Sequence, residues 1–182
     1  GCYIPQFIGP VKSGGWAKLM PNSLIVGEFT KETRPSDADT KFDKRMYASL
    51  FFDAANYGDK VPNEKWYGNN YSMDDLWEGN EGKMAGGAPS FNVNGTAGKF
   101  LIKKNTAYYV DDKAPDNMGN KEGRSSNLRV IRFAEVLLLY AEACAKTNDP
   151  DGANYALKQI RQRAGLTEKT FAQAELMNEI EH

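Results

Sequence analysis

The sequence contains a single histidine, which is its last residue, His182. This excludes metal clusters built on histidine and the Ser-His-Asp and Cys-His types of catalysis. The two cysteines, Cys2 and Cys144, are too few for a disulfide framework or for a zinc site made of thiolates. Most common enzyme sites are therefore excluded before any motif is considered. The sequence offers no candidate catalytic residue, no candidate metal ligand and no cofactor, and it leaves open whether calcium is bound.

The chain also lacks an excess of charge of either sign. Its 182 residues include 23 Lys and Arg against 24 Asp and Glu, which gives a net charge of −1. A nucleic-acid-binding protein normally carries a clear basic excess, so nucleic acid is not an expected partner. No apolar run approaches 18 residues, so no membrane-spanning helix is expected. The hydrophobic fraction of 41% is adequate for a folded core.

The composition changes near residue 126. Before this point lie 15 of the 17 glycines and all three tryptophans. Frequent Gly, Pro, Asn and Asp residues indicate loops that connect a few short strands. The predicted strands are residues 45–52, 99–104 and 108–110, whereas residues 24–29 fit either a strand or a short helical turn. We therefore predict a loop-rich region, residues 1–126, and a helical region, residues 127–182.

The helical region begins with a long apolar stripe. Asn127 follows two serines and is the predicted N-cap of this first helix, and residues 147–149 are predicted to end it. The apolar residues recur at spacings of one, three and four, which is the period of an amphipathic helix. They are Val130, Phe133, Ala134, Leu137, Leu138, Ala141 and Ala145.

Two more helices are predicted after the first. Asp149 followed by Pro150 is a typical helix start, and Gly165 is the predicted left-handed residue that ends the second helix. Thr170 with Gln173 matches a capping box at the start of a third helix. Its apolar stripe consists of Ala172, Leu176 and Ile180.

The connections between these helices are only a few residues long, so successive helices should be antiparallel neighbours. The predicted fold class is mostly α. Tetratricopeptide-like antiparallel helices in the C-terminal third pack with a loop-rich region that contains a few short strands.

Residues 127–166 resemble the C-terminal helical signature of the SusD/RagB family. The stretch reads NLRVIRFAEVLLLYAEACAKTNDPDGANYALKQIRQRAGL, and residues 42–45 resemble the Asp-x-Arg segment that these proteins carry further upstream. The strongest matches are Leu128, Arg129, Arg132, Ala134, Glu135, Val136, Leu138, Tyr140, Ala141, Glu142, Ala143, Arg161, Arg163, Ala164, Gly165 and Leu166.

The resemblance implies a function that composition and periodicity alone do not indicate. Members of this family are longer nutrient-binding lipoproteins of the outer membrane in Bacteroidetes, so the chain is expected to be an internal or C-terminal fragment. The full-length parent is expected to be lipid-anchored and exposed at the cell surface. There it would capture a glycan, or in some branches a peptide, and pass it to a TonB-dependent transporter. The family members are not enzymes.

Five aromatic residues of the loop-rich region are the predicted ligand-binding residues. Sugars stack their C–H faces on aromatic rings, and their hydroxyl groups need amide and carboxylate partners, which Asn69, Asn70, Asp74 and Asp75 supply nearby. The alternative interpretation is that the same rings form the core of the loop-rich region. The five residues are Trp16, Trp66, Tyr67, Tyr71 and Trp77.

The acidic residues of both regions are predicted to be structural. Glu135 and Glu142 lie seven residues apart on the first helix and are expected to pair with arginines such as Arg161 and Arg163. The adjacent Asp74 and Asp75, with Glu78, could form a glycosidase acid pair, but such neighbours are more often solvated or cap a helix.

Two other functions remain open at this stage. A helical-repeat scaffold for a protein or peptide partner would carry an exposed apolar patch on its helices rather than a ligand site in its loops. An accessory fragment of a glycoside hydrolase would support measurable turnover of a polysaccharide.

Overall fold

The computed structural model describes residues 8–10, 15, 19–59, 72–77, 100–106 and 130–181. The predicted strand at residues 108–110 and the predicted N-cap Asn127 lie outside these residues. The chain divides into two compact units. The loop-rich unit comprises residues 1–29 and 45–126, and the helical unit comprises residues 30–44 and 127–182. Residues 30–44 thus group with helices that follow them by more than 80 residues in the chain.

The described parts of the chain are mostly helical, and the predicted fold class is confirmed. None of the helices described is long and apolar enough to cross a membrane. The order of elements is α1 Ser23–Thr30, α2 Lys44–Ser49, β1 Leu50–Phe51, a 3-10 helix Ala54–Tyr57, α3 Met73–Trp77, β2 Leu101–Ile102, α4 Phe133–Lys146, α5 Pro150–Ala164 and α6 Gln173–Glu181.

A two-stranded antiparallel sheet lies in the core of the loop-rich unit. Leu50 pairs with Ile102 and Phe51 with Leu101, so the predicted strand near residue 100 is confirmed over its central two residues. Both residues of β1 are buried. The fully buried residues of this unit include Met46, Phe51, Leu76, Phe100 and Leu101.

The predicted strand at residues 45–52 is wrong over most of its length, since Lys44–Ser49 forms helix α2 and only Leu50–Phe51 is a strand. Burial explains the difference. Phe42, Met46 and Leu50 are buried at intervals of four residues, which is a helical period rather than the alternation of a strand. Contiguous burial begins at Leu50, which is also the first residue of the strand.

Residues 24–29, which fitted either a strand or a helical turn, belong to helix α1. The side-chain oxygen of Asn22 accepts a hydrogen bond from the backbone N–H of Ile25 at 3.0 Å. Asn22 therefore caps the helix in the manner typical of asparagine.

Helix α4 begins later than its sequence pattern suggests, at Phe133 instead of after Asn127. Arg132 has extended backbone angles, and its carbonyl accepts the first helical hydrogen bonds from the N–H groups of Glu135 and Val136. The first residues of the predicted apolar stripe therefore do not face the core. Val130 precedes the helix, and Phe133 is exposed in its first turn. Further along, Ala141 and Ala145 are buried as predicted.

Helix α5 has the predicted boundaries. The carboxylate of Asp149 accepts a hydrogen bond from the backbone N–H of Gly152 at 3.0 Å, and Pro150 is the first helical residue. At the other end Gly165 has φ = 75°, and the N–H of Leu166 returns to the carbonyl of Arg161 at 3.0 Å. Short-range signals in the sequence thus determine both ends of this helix.

Helix α6 begins at Gln173, and the predicted capping box is shifted by two residues. The carboxylate of Glu175 accepts a hydrogen bond from the backbone N–H of Ala172 at 3.0 Å. Gln173 instead donates to the carbonyl of Ala145 at 2.6 Å, which attaches α6 to the end of α4. Of the predicted stripe, Leu176 is buried and Ile180 packs against the same core, whereas Ala172 is exposed.

The core of the helical unit consists mainly of small residues. Alanines of both α4 and α5 are buried where the two helices pack together, and Leu176 of α6 packs against them. Asn154 of α5 joins the start of α6, since its amide donates to the carbonyl of Phe171 at 3.0 Å and accepts from the N–H of Phe171 at 2.8 Å. The buried set is Ala141, Cys144, Ala145, Ala153, Ala156, Leu157 and Leu176.

Replacing Gly165 by alanine is expected to lower the free energy of unfolding by about 1–3 kcal/mol. The backbone at Gly165 is left-handed, and an added Cβ would lie 2.5 Å from Nε of Arg34. Gly27→Ala is the matched control, because Gly27 lies inside α1 with nothing within 4 Å of an added Cβ. That change should stabilise the protein by up to about 1 kcal/mol. Equal effects of both changes in urea denaturation would contradict this assignment.

Candidate functional site

The structure places one of the five predicted ligand-binding residues, Trp77, because Trp16, Trp66, Tyr67 and Tyr71 lie outside the described residues. Trp77 ends helix α3 and is 7% exposed. Its ring therefore offers almost no surface on which a sugar could stack. Trp77 is therefore a core residue, as the alternative interpretation has it, and it is not part of the candidate site.

Ser72 and Asp75 cap the start of helix α3, which carries Trp77. The carboxylate of Asp75 accepts hydrogen bonds from the N–H and hydroxyl of Ser72 at 2.7 and 2.6 Å, and Ser72 Oγ accepts from the N–H of Asp75 at 3.3 Å. This reciprocal capping box fixes the start of the helix. Met73, Leu76 and Trp77 then lie on one face and are buried together.

Asp75 is accordingly a capping residue, as the structural interpretation of the acidic pair predicts. The neighbouring Asp74 is exposed, and Glu78 lies outside the described residues. Within the parts of the chain that the structure describes, no group of three or more His, Cys, Asp or Glu residues could hold a metal ion.

An aromatic cluster of four rings forms the best-defined candidate site in the loop-rich unit. The rings of Phe52 and Phe100 are stacked with centroids 5.7 Å apart, and both residues are buried. Tyr47 packs on Phe52 at 5.2 Å, and Tyr57 packs on Phe100 at 5.3 Å. Both tyrosines are half-buried, so they form the edge of the cluster. The cluster combines an apolar base with two rings that reach the surface.

A tight turn positions the polar groups beside this cluster. Asp53 caps the 3-10 helix by accepting a hydrogen bond from the N–H of Ala55 at 3.1 Å, and Gly58 ends it with φ = 66°. The turn brings Asp59 to Tyr47, whose hydroxyl donates to the Asp59 carboxylate. Burial raises the pKa of Tyr57 above its ordinary value, so this phenol stays protonated as a hydrogen-bond donor.

The arrangement of Tyr47, Tyr57 and Asp59 suits the binding of a polyhydroxylated ligand. Tyrosine rings supply an apolar face together with a polar hydroxyl, and a carboxylate accepts hydrogen bonds from ligand hydroxyl groups. Tyr57 is not among the residues predicted from the sequence. Tyr47 was missed because residues 45–52 read as a strand.

The charged residues of the helical unit pair differently from the prediction. Glu142 forms an exposed ion pair with Lys146 one turn later on α4, at 2.5 Å, rather than with Arg161 or Arg163. Glu135 and Arg163 are both exposed. A helix places side chains four residues apart on the same side, so the local partner is reached at a smaller entropic cost.

Arg161 is instead paired with Glu32, a residue 129 positions away. The guanidinium is 5% exposed and donates to the two oxygens of Glu32 at 3.0 and 2.7 Å. It also contacts Glu179 at 3.3 Å and the carbonyl of Thr167 at 3.1 and 2.9 Å. The hydrogen bonds from Arg161 to Glu32, with a further contribution from Lys169, lower the pKa of Glu32 to about 2. Glu32 is therefore ionised at every physiological pH, and its ion pair with Arg161 joins residues 30–44 to helix α5.

Helix α4 also carries apolar side chains on the side that faces away from its own core. Phe133 is 68% exposed, and Val136, Leu139 and Tyr140 are exposed further along. Val130 and Ile131 extend the apolar surface ahead of the helix. Large contiguous apolar surfaces of this kind often mark binding surfaces for proteins.

Comparison with known proteins gives two positive findings. A crystal structure of a SusD superfamily protein from Bacteroides vulgatus is similar to the chain with a TM-score of 0.68 and 21% sequence identity. The similarity covers 97% of this chain and 32% of that chain, so the present chain spans about a third of the length of its solved relative. At this identity the likeness concerns the fold. No curated protein matches the chain.

The second finding concerns the family. The model of the SusD family matches residues 1–182. The match includes residues 127–166, which carried the resemblance in the sequence, and it extends through the loop-rich unit. The chain therefore belongs to the SusD family.

Proposed function

We propose that the chain is the ligand-binding part of a SusD-like glycan-binding protein in an outer-membrane nutrient uptake system. The observation that carries this proposal is the family match over the loop-rich unit as well as the helices. The helical unit supplies a rigid support, and the loop-rich unit supplies the aromatic residues. The protein captures an oligosaccharide or polysaccharide and breaks no bond, so it is not an enzyme.

Binding would combine stacking with hydrogen bonding. Tyr47 and Tyr57 lie at the edge of the aromatic cluster with Asp59 beside them, which supports a role in sugar contact. Aromatic rings favour the C–H faces of sugars, and burial of such a ring contributes substantially to affinity. We also propose ligand contact by four rings outside the described residues, which are Trp16, Trp66, Tyr67 and Tyr71.

The remaining parts of the proposal follow from the family. The full-length parent would be lipid-anchored at the outer cell surface, and a TonB-dependent transporter would be the partner that receives the glycan. In some branches of the family the ligand is a peptide, and a peptide is therefore the second ligand class for this site.

Substituting Trp66 by alanine tests the proposed site. We expect the change to raise the dissociation constant for the polysaccharide, measured by affinity electrophoresis, at least about tenfold. This corresponds to about 1.4 kcal/mol of binding free energy. The melting temperature should stay the same, because a ring that contacts ligand contributes little to the core. The polysaccharide itself is first identified with a glycan array.

The matched control is Tyr155→Ala, which removes a 64% exposed ring from α5 in the helical unit. This change should leave retention unchanged. The proposed function is wrong if the folded Trp66→Ala variant is retained by the polysaccharide as strongly as the parent protein. It is also wrong if the parent protein binds no glycan on the array.

The exposed apolar residues of α4 favour a second candidate function, a helical scaffold for a protein or peptide partner. An amphipathic helix of the partner would pack its apolar side against Phe133, Val136 and Leu139. The two candidate functions predict different effects of a substitution at Phe133 on ligand binding. Phe133→Asp would abolish binding by a scaffold and would leave binding of a glycan to the loop-rich unit unchanged.

A further inference from the structure

Lys103 follows strand β2 in the loop-rich unit and is a buried lysine, only 7% exposed. Lysine is rarely buried, because its ammonium loses water that only hydrogen-bond acceptors or an opposite charge can replace. Its Nζ donates to the carbonyl of Tyr47, 56 positions earlier in the chain, at 2.9 Å. Lys103 also has interactions other than this hydrogen bond. The buried ammonium thus contacts the backbone of helix α2 directly.

Helix α2 needs hydrogen-bond donors at its C-terminal end. It has only six residues, Lys44–Ser49, and continues directly into β1. The last carbonyl groups of a helix lack N–H partners within the helix, and so short a helix is not stable alone. The N–H groups of Lys103 and Lys104 donate to the carbonyl of Ser49 at 2.8 and 3.1 Å. Together with the ammonium on Tyr47, they cap the end of α2.

A tight turn after β2 holds Lys103 in place. The N–H of Thr106 donates to the carbonyl of Lys103 at 3.1 Å, and the Thr106 hydroxyl donates to the same oxygen at 2.6 Å. Thr106 is 2% exposed, and Asn105 before it has φ = 66°. Asparagine adopts this left-handed conformation more readily than most residues. The backbone of Lys103 is therefore fixed by β2 on one side and by the turn on the other.

Tyr47, whose carbonyl Lys103 contacts, belongs to the proposed ligand site. Its ring packs on Phe52 with centroids 5.2 Å apart, and its hydroxyl donates to Asp59. Tyr47 lies in the last turn of α2, so both contacts depend on the position of that turn. A cation at this end of a helix is favourable, because the last carbonyl groups carry partial negative charge. Removing the ammonium should therefore weaken the turn and displace the ring.

We propose that Lys103 is a positioning residue, which caps α2 and thereby sets the place of the Tyr47 ring at the edge of the aromatic cluster. The inference rests on the proposed function, since it takes Tyr47 as a residue that contacts the glycan. Lys103 acts from the interior, through the backbone of Tyr47, and makes no ligand contact of its own.

Lys103→Met tests the cap, because methionine is of similar length and has no charge. The N–H groups of residues 103 and 104 bond the Ser49 carbonyl and so report the contact between the two segments. Their protection from hydrogen exchange, measured by NMR, should fall about tenfold in the variant. Lys103→Gln, which carries a neutral amide, replaces it if the methionine variant does not fold.

Lys104→Met is the matched control for the exchange measurement. Lys104 is exposed, and the variant keeps the backbone hydrogen bond to Ser49, so protection at both amides should equal that of the parent protein. Unchanged protection in the folded Lys103 variant, or an equal loss in Lys104→Met, would overturn the proposal.

Calorimetric titration of the glycan identified on the array tests the link to Tyr47. Lys103→Met should raise the dissociation constant about fivefold in the parent background and less than about twofold in a Tyr47→Ala background, where the residue through which it acts is gone. Equal effects in both backgrounds, or an unchanged constant in the parent background, would overturn the positioning role and leave the proposed function standing. A parent protein that binds no glycan would instead contradict the proposed function itself.

Discussion

Replacing Arg161 by alanine is expected to lower the free energy of unfolding by about 3 kcal/mol. Arg161 is 5% exposed and bonds Glu32, Glu179 and the Thr167 carbonyl, so its loss leaves several acceptors without their donor. The value lies at the lower end for a broken buried ion pair, because both carboxylates are about a quarter exposed and Lys169 still reaches Glu32. Chemical denaturation followed by circular dichroism measures this loss.

Lys158→Ala is the matched control for Arg161. It also removes a cation from α5, but its pair with Glu168 is exposed on both sides and should contribute less than about 1 kcal/mol. A loss of similar size in the two variants would show that the Arg161 network contributes no more than a surface ion pair. Glu142→Ala should lower the free energy of unfolding by a similarly small amount, because Glu142 pairs with Lys146 at the surface.

Trp77→Ala is expected to lower the free energy of unfolding by about 3–5 kcal/mol, the typical cost of removing a buried tryptophan side chain. The ring is 7% exposed and packs with Met73 and Leu76 on the buried face of α3. Thermal unfolding of the variant measures the effect. The same experiment on Trp66→Ala should show no comparable loss.

Trp77→Phe separates a structural role from a binding role at this position. It keeps an aromatic ring in the core and should cost clearly less stability than alanine. Its glycan affinity should equal that of the parent protein. Weakened binding by Trp77→Phe with unchanged stability would return Trp77 to the ligand site, contrary to its burial.

Local signals made the helical unit largely predictable from the sequence. Asp149 with Pro150 and the glycine at position 165 act within one or two turns of the chain, so both ends of α5 were correct. The start of α4 was not predicted, because the apolar stripe runs on past the helix. Val130 and Phe133 belong to the same pattern as Ala141, yet only Ala141 faces the core.

Contacts between distant residues could not be predicted. The partner of Arg161 is Glu32, and nothing in the spacing of charges along the helices indicates a residue 129 positions earlier. The sequence pointed instead to glutamates on the neighbouring helix. The grouping of residues 30–44 with the helical unit depends on the same long-range contacts and was missed for the same reason.

The sugar-binding chemistry of the candidate site stays a prediction from the sequence. Aromatic residues among turn-forming residues indicated sugar binding, and the family match supports that proposal. Whether a given ring faces a ligand or the core depends on packing around it. Trp77 and Tyr57 occur in the same aromatic stretch, yet Trp77 is buried and Tyr57 lies at the edge of its cluster.

Calorimetric titration of the identified glycan into a Trp66→Ala, Tyr67→Ala double variant and into Phe133→Asp tests the central claim most directly. The claim is that the loop-rich unit binds the ligand and the helical unit supports it. We expect the double variant to raise the dissociation constant at least about tenfold, with the value for Phe133→Asp equal to that of the parent protein. Unchanged affinity in the double variant together with lost affinity in Phe133→Asp would contradict the account and assign binding to α4.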